Sequence, residues 1–127
     1  MLEQDYRALL LIEMSKPRIA SLVSVWKQNN GLIKFNDKGK ERAFHAGPPT
    51  GAGDISGIVK GHGWRVEIEV KAFQASGRLY TRKKPQEQWA KHIEDCGGVY
   101  VLMTEKMGLA RCTEALEEAI ERRKLRP

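Results

Sequence analysis

The stretch from Gly51 to Phe73, GAGDISGIVKGHGWRVEIEVKAF, limits what this chain can fold into more than any other. Ile55, Ile58 and Val59 are strand formers, and Lys60-Gly61-His62-Gly63 supplies turn chemistry. In the second run, Val66, Ile68 and Val70 alternate with Arg65, Glu67, Glu69 and Lys71. The expected element is a β-hairpin. A two-residue loop at Gly61-His62 and a four-residue loop after Val59 give the same register, with Asp54 opposite Glu69; a three-residue loop breaks it. Directly opposed residues hold their Cβ atoms about 4.5–5.5 Å apart. Lys71, two residues beyond Glu69, points to the same face. Two carboxylates and one ammonium thus share one face of one hairpin.

Carboxylates this close repel unless a positive charge lies between them. Oxygen donors select a hard divalent cation, Mg²⁺ or Mn²⁺, and the chain has no Cys/His spacing for zinc. Glycines 51, 53 and 57 keep the backbone near Asp54 uncluttered, which suits close approach of a ligand. The plain alternative is a surface ladder of cross-strand charge pairs.

Asp54, an intervening turn and then Glu69-Val70-Lys71 resemble the Asp…Glu-x-Lys core of the PD-(D/E)XK nucleases. More narrowly, the chain resembles the virus-type replication-repair nuclease (VRR-NUC) domain. That pattern continues with a Gln followed three residues later by an aromatic, then Gly-Gly before a strand. Here Gln86, Trp89 and Gly97-Gly98-Val99-Tyr100-Val101-Leu102 stand in that order. The likeness spans most of the chain, from about residue 3 to residue 104. It departs at Gly53, where the superfamily name expects Pro, a flanking position not expected to disturb the chemistry. The resemblance implies an α/β fold with a central mixed β-sheet flanked by helices. It also implies a metal-dependent DNA endonuclease similar to phage Holliday-junction resolvases, which act as homodimers. Asp54, Glu69 and the Val70 carbonyl would bind the metal, Lys71 would orient or activate water, and Gln86 would assist. A first-helix glutamate in this family is followed by apolar residues at plus three and plus seven. Glu3, with Tyr6 and Leu10, fits better than Glu13, so the resemblance makes Glu3 the candidate for an additional acid near the metal, directly or through water; a surface glutamate that suits the helix dipole is the plain alternative. A nickase, flap or restriction-type endonuclease with the same core, and a non-catalytic DNA-binding module, are the competing readings.

Along the chain, Leu2 to Met14 reads as a helix with Tyr6, Leu9, Leu10 and Met14 on one face, ended or kinked by Ser15-Lys16-Pro17. Residues 19–27 fit helical and alternating spacing alike. Asn30-Gly31 is a hairpin signal, and it favours a strand from Ser21 to Gln28 paired with Leu32 to Phe35, with Trp26 facing Phe35. Asn36 to Thr50 reads as a loop with a short strand at Arg42 to His45. Neither His45 nor His62 is assigned a role. Residues 74–84 hold Arg78, Arg82, Lys83 and Lys84 without an acid, with Tyr80 interleaved. They suit a DNA backbone or, equally, a solvated loop.

Pro85 opens a helix whose inner face carries Gln86, Trp89, Ala90, Ile93 and Cys96, ending at Gly97. Cys96 then reads as a small buried hydrophobe. Val99 to Met103 is a strand reached by a parallel crossover. Thr113 caps a last helix, Glu114 to Lys124, with acids early and bases late to suit its dipole.

A chain of 127 residues reads as a single domain, residues 1–127, and its longest apolar run is too short to span a bilayer. The acidic start lacks a secretory n-region, and two cysteines make no disulfide framework, so a reducing, cytoplasmic setting of phage or bacterial origin is expected. The net charge of +6 suits a polyanionic partner.

Overall fold

A computed structural model describes residues 1–29, 31–45, 53–72 and 84–126 of the chain. Its main sheet has the strands β1 (Val23–Lys27), β4 (Ile55–Val59), β5 (Arg65–Lys71) and β6 (Val99–Thr104), in that order. The β1–β4 and β4–β5 pairs are antiparallel and β5–β6 is parallel, so the sheet is mixed. Among the described residues, four α-helices accompany it: α1 (Glu3–Met14), α2 (Pro17–Ala20), α3 (Lys84–Asp95) and α4 (Leu109–Lys124). The parallel step from β5 to β6 runs through α3, as the helix between two apolar strands predicts.

Alternation along the central strands divides the interior in two. Val66, Ile68 and Val70 of β5 and Val99, Val101 and Met103 of β6 join Tyr6, Leu10 and Met14 of α1 and Cys112, Leu116 and Ile120 of α4 in the principal core. Fully burying one such side chain contributes about 1.5–3 kcal/mol. On the opposite side, Tyr100 packs with Ala90 and Ile93 of α3, and Trp89 lies against them. Helix α3 therefore covers the face of β5 that carries Glu67, Glu69 and Lys71, and all three are buried. The described helices include none long and apolar enough to cross a membrane.

Several expectations need correction. β1 is a strand, but it pairs with β4 and not with the segment after Asn30-Gly31: Trp26 faces Ser56, not Phe35. Pairing with β4 buries Val23 against Val59, a gain the local hairpin lacks. In the segment from Asn36 to Thr50, the short strand expected at Arg42 to His45 is present but longer, and the loop expected before it is a tight turn: β3 (Lys40–His45) forms a separate hairpin with β2 (Leu32–Asp37), and residues 46–50 lie outside the described residues. The turn is Lys38-Gly39, both at positive φ (52° and 83°), the primed geometry that matches strand twist. Asn36 Oδ1 accepts the Gly39 amide at 2.9 Å.

Thr113 is not a cap. Helix α4 begins four residues earlier, after Gly108, because Leu109 already packs against the core; the Thr113 hydroxyl donates to Ala110 O at 2.8 Å inside the helix. The glutamates of α4 thus miss its first turn and pair with basic side chains: Glu118 with Arg111, Glu117 with Arg18, Glu121 with Lys124. Leu9 is exposed while Tyr6, Leu10 and Met14 are buried. Cys96, just past the end of α3 at Asp95, is exposed and not the buried hydrophobe expected.

Candidate active site

The hairpin register is the one that places Asp54 beside Glu69. The Val59 amide donates to Trp64 O at 2.9 Å and the Gly63 amide to Val59 O at 2.9 Å, closing a four-residue turn. Ile55 then pairs with Ile68 and Ser56 with Glu67. The Asp54 amide donates to Ile68 O at 2.8 Å, which keeps the chain pressed to β5 beyond the ladder's last pair. From there the Asp54 side chain reaches across: Oδ2 accepts the Val70 amide at 2.9 Å. In an extended strand the N–H and C=O of one residue point to the same side, so the Val70 carbonyl is directed toward the Asp54 edge.

Glu69 is the most enclosed member of the group, its side chain only 4% exposed. Its Oε1 accepts Lys71 Nζ at 3.1 Å and Gln86 Nε2 at 2.8 Å. Its Oε2 is buried and has no hydrogen-bond partner among the described residues. Burial, reinforced by repulsion from Asp54 and offset in part by Lys71, pushes the Glu69 carboxyl up to about 7. Lys71 Nζ also lies 4.0 Å from Glu3 Oε1. Partial burial raises the Glu3 carboxyl, Lys71 opposes that shift and Asp54 adds to it. Asp54, Glu69, Lys71, Gln86 and Glu3 are thus neighbours, contributed by α1, β5, α3 and the approach to β4.

Arg78, Arg82 and Lys83 lie outside the described residues; Lys84 opens α3 and is exposed. His62 is an exposed turn residue stacked on Trp64 at 4.0 Å between centroids. Glycines 53 and 57 do serve close approach, but by the protein's own strands and not by a ligand. A Cβ on Gly57 would fall 2.4 Å from Ser24 O, and one on Gly53 2.8 Å from Ile68 O. Gly51 lies outside the described residues.

Two features escaped the sequence reading. Arg7 Nη1 lies 3.7 Å from Asp54 Oδ1. The available signal was its place one helical turn after Glu3, so a helix that brings Glu3 to the site brings Arg7 as well. The second feature is Glu67. It was read only as one of the alternating polar residues, yet it is fully buried and accepts from the Gly53 amide, Gln28, Arg65 and Trp89.

Among the described residues, no three His, Cys, Asp or Glu side chains converge as a metal-holding group. Asp54 and Glu69 form a pair, with Glu3 meeting Lys71. The donors nonetheless fit a hard divalent cation. A buried carboxylate oxygen lacks a hydrogen-bond partner among the described residues, a second carboxylate lies close enough to repel it, and the whole set is oxygen. Elsewhere, a concavity of about 400 Å³ is lined by Val99, Tyr100, Ala119, Arg122, Arg123 and Arg126. It shares no residue with this cluster. Arg123 and Arg126 there donate to the carbonyls of Gly97 and Gly98 past the end of α3, and Arg123 sits 4.3 Å over the Trp64 ring. The sequence matches no protein-family model and no curated protein.

Proposed function

We propose that this chain is a metal-dependent DNA endonuclease with a PD-(D/E)XK-type core of the VRR-NUC kind. The observation that carries the reading is the orphaned, buried Oε2 of Glu69 beside Asp54, with Lys71 on the other carboxylate oxygen. An unpartnered buried carboxylate oxygen is costly unless a ligand completes it.

Asp54, Glu69 and the Val70 carbonyl would hold Mg²⁺ or Mn²⁺. When bound, such an ion lowers the pKa of water and polarises a phosphoryl oxygen. Lys71, held by Glu69 and close to Glu3, places an ammonium where negative charge grows during phosphodiester hydrolysis, and it orients the attacking water. Gln86 has its amide nitrogen on Glu69, which fixes the rotamer of that carboxylate. Glu3 supplies an outer acid that reaches the site through Lys71 or through water. The net charge of +6 and the basic run Arg78, Arg82, Lys83, Lys84 support a DNA partner. A branched substrate and a homodimer rest on the resemblance alone: two sites related by a two-fold axis suit two strands of a symmetric junction.

One observation favours a second reading. Arg7 and Lys71 already lie beside Asp54 and Glu69, so the cluster would also serve as an internal ion-pair network in a DNA-binding module without catalysis. Labelled four-way junction, flap and linear duplex, each with Mg²⁺ or with EDTA, separate the two. Mg²⁺-dependent cutting is expected, strongest on the junction. DNA binding with every substrate intact under both conditions would replace the enzyme with the binding module. A light-scattering mass of one chain, with and without DNA, would remove the dimer.

A further inference from the structure

Glu67 and Glu69 are two residues apart on one strand face and look alike in sequence, yet their surroundings are opposite. Glu69 has an oxygen with no donor among the described residues. Glu67 is fully buried and has both oxygens occupied: Oε1 by Gln28 Nε2 at 3.1 Å and Arg65 Nη2 at 3.0 Å, Oε2 by the Gly53 amide at 3.0 Å and the Trp89 indole N–H. A carboxylate so saturated has no lone pair to spare for a ligand. It also makes little sense as core filling, because an apolar side chain of similar volume is usually as stable at such a position.

We propose that Glu67 is a positioning residue for Asp54, acting through Gln28 and the Gly53 backbone; the role matters for catalysis only if the nuclease reading holds. The backbone around Asp54 is fastened group by group. The Gly53 amide donates to Glu67, and the Gly53 carbonyl accepts Gln28 Nε2 at 3.1 Å. The Asp54 amide donates to Ile68 O, and the Asp54 carbonyl accepts the Gln28 amide at 2.9 Å. Gln28 is itself fixed, since its Oε1 accepts the Ser56 hydroxyl and Arg65 Nη2. One side chain, Gln28, thus ties the buried carboxylate to the peptide group preceding Asp54. Helix α3 joins the same network: Gln86 donates to Glu69 and Trp89, three residues on, donates to Glu67. The aspartate is thereby held against β5 before any ion arrives, the kind of outer support that metal-ligand geometry depends on.

The test uses the full chain without metal. The Val70 amide donates to Asp54 Oδ2 and not to the Glu67 carboxylate, so its hydrogen exchange reports the grip of Asp54 on β5. In Glu67→Gln and, independently, in Gln28→Ala, Val70 exchange should accelerate about tenfold or more while Val101 and Met103 keep wild-type protection. The dissociation constant for Mn²⁺ should rise about tenfold in the same variants. Gln28 is only half-buried at a strand end, so its truncation keeps the test alive if Glu67→Gln does not fold. Wild-type Val70 protection in the folded variants overturns the assignment. A wild-type protein that neither binds Mn²⁺ nor cuts DNA, whose variants still lose Val70 protection, overturns the nuclease reading and leaves Glu67 as the residue that positions Asp54.

Discussion

Asp54 Oδ2 accepts a 2.9 Å hydrogen bond from the amide of Val70, the residue between Glu69 and Lys71. The aspartate is therefore locked to the backbone that carries the other two charged groups. Its distance from them is set by one strand and not by the meeting of separate loops. Under the proposed chemistry, small changes in the charges of this unit should separate ion binding from cleavage.

Lys71→Ala tests that separation. Lys71 Nζ lies 3.1 Å from Glu69 Oε1, so its removal takes away an ammonium but no oxygen ligand. Cleavage under single-turnover conditions should fall by about a hundredfold or more. Mn²⁺ binding by calorimetry should persist. Wild-type cutting by the variant would strip Lys71 of its assigned role.

Glu69 makes stability depend on pH in an unusual sense. Its folded pKa is raised from the ordinary 4.5 to about 7, so the native state binds a proton that the unfolded chain has already released. Stability should then be highest near and below the unfolded value and fall as pH rises toward and past about 7. In EDTA, the melting temperature should drop between about pH 5 and pH 8. Glu69→Gln should flatten that profile, and Mn²⁺ should restore the wild-type protein at the alkaline end. A flat wild-type profile in EDTA would mean that the carboxyl ionises there without cost.

Arg7 competes with any cation at Asp54. Its guanidinium is 3.7 Å from Oδ1, with both side chains partly exposed at 22% and 23%. An exposed pair of this kind is weak, so Arg7→Ala should tighten Mn²⁺ by roughly two- to fivefold. Looser Mn²⁺ in that variant would instead make Arg7 part of what orients the aspartate.

How far the sequence reveals all this follows from how local each determinant is. The β4–β5 register depends on a four-residue turn and a two-residue period, both written in one continuous segment, and Asp54 with Glu69 was legible there. Gln86 was legible from helical phase after Pro85. The partner of β1 was not. Asn30-Gly31 satisfies a hairpin pattern locally, whereas pairing with β4 pays off only once Val23 meets Val59 across more than thirty residues of chain. For the same reason nothing in GIVKGHGWRVEIEVK distinguishes Glu67 from Glu69. The difference is made by Gln28 and Trp89, which arrive from other elements.

Gly53 stands where the resembled family carries proline, and the structure gives the position a stricter requirement than a flanking residue would have. A Cβ there would lie 2.8 Å from the Ile68 carbonyl oxygen and 3.1 Å from Ile68 N, both backbone atoms that cannot turn aside. Proline would add a second defect, because it lacks the N–H that donates to Glu67 Oε2. Gly53→Ala should therefore cost about 1–3 kcal/mol in urea unfolding, the usual penalty for overfilling a close-packed contact. Gly53→Pro should cost more, since it also leaves a buried carboxylate oxygen short of a donor. If Ala at this position unfolds at the wild-type urea midpoint, the Gly53–Asp54 segment leading into β4 is free to lift from β5, and Asp54 is not held as closely as its hydrogen bond to Val70 implies.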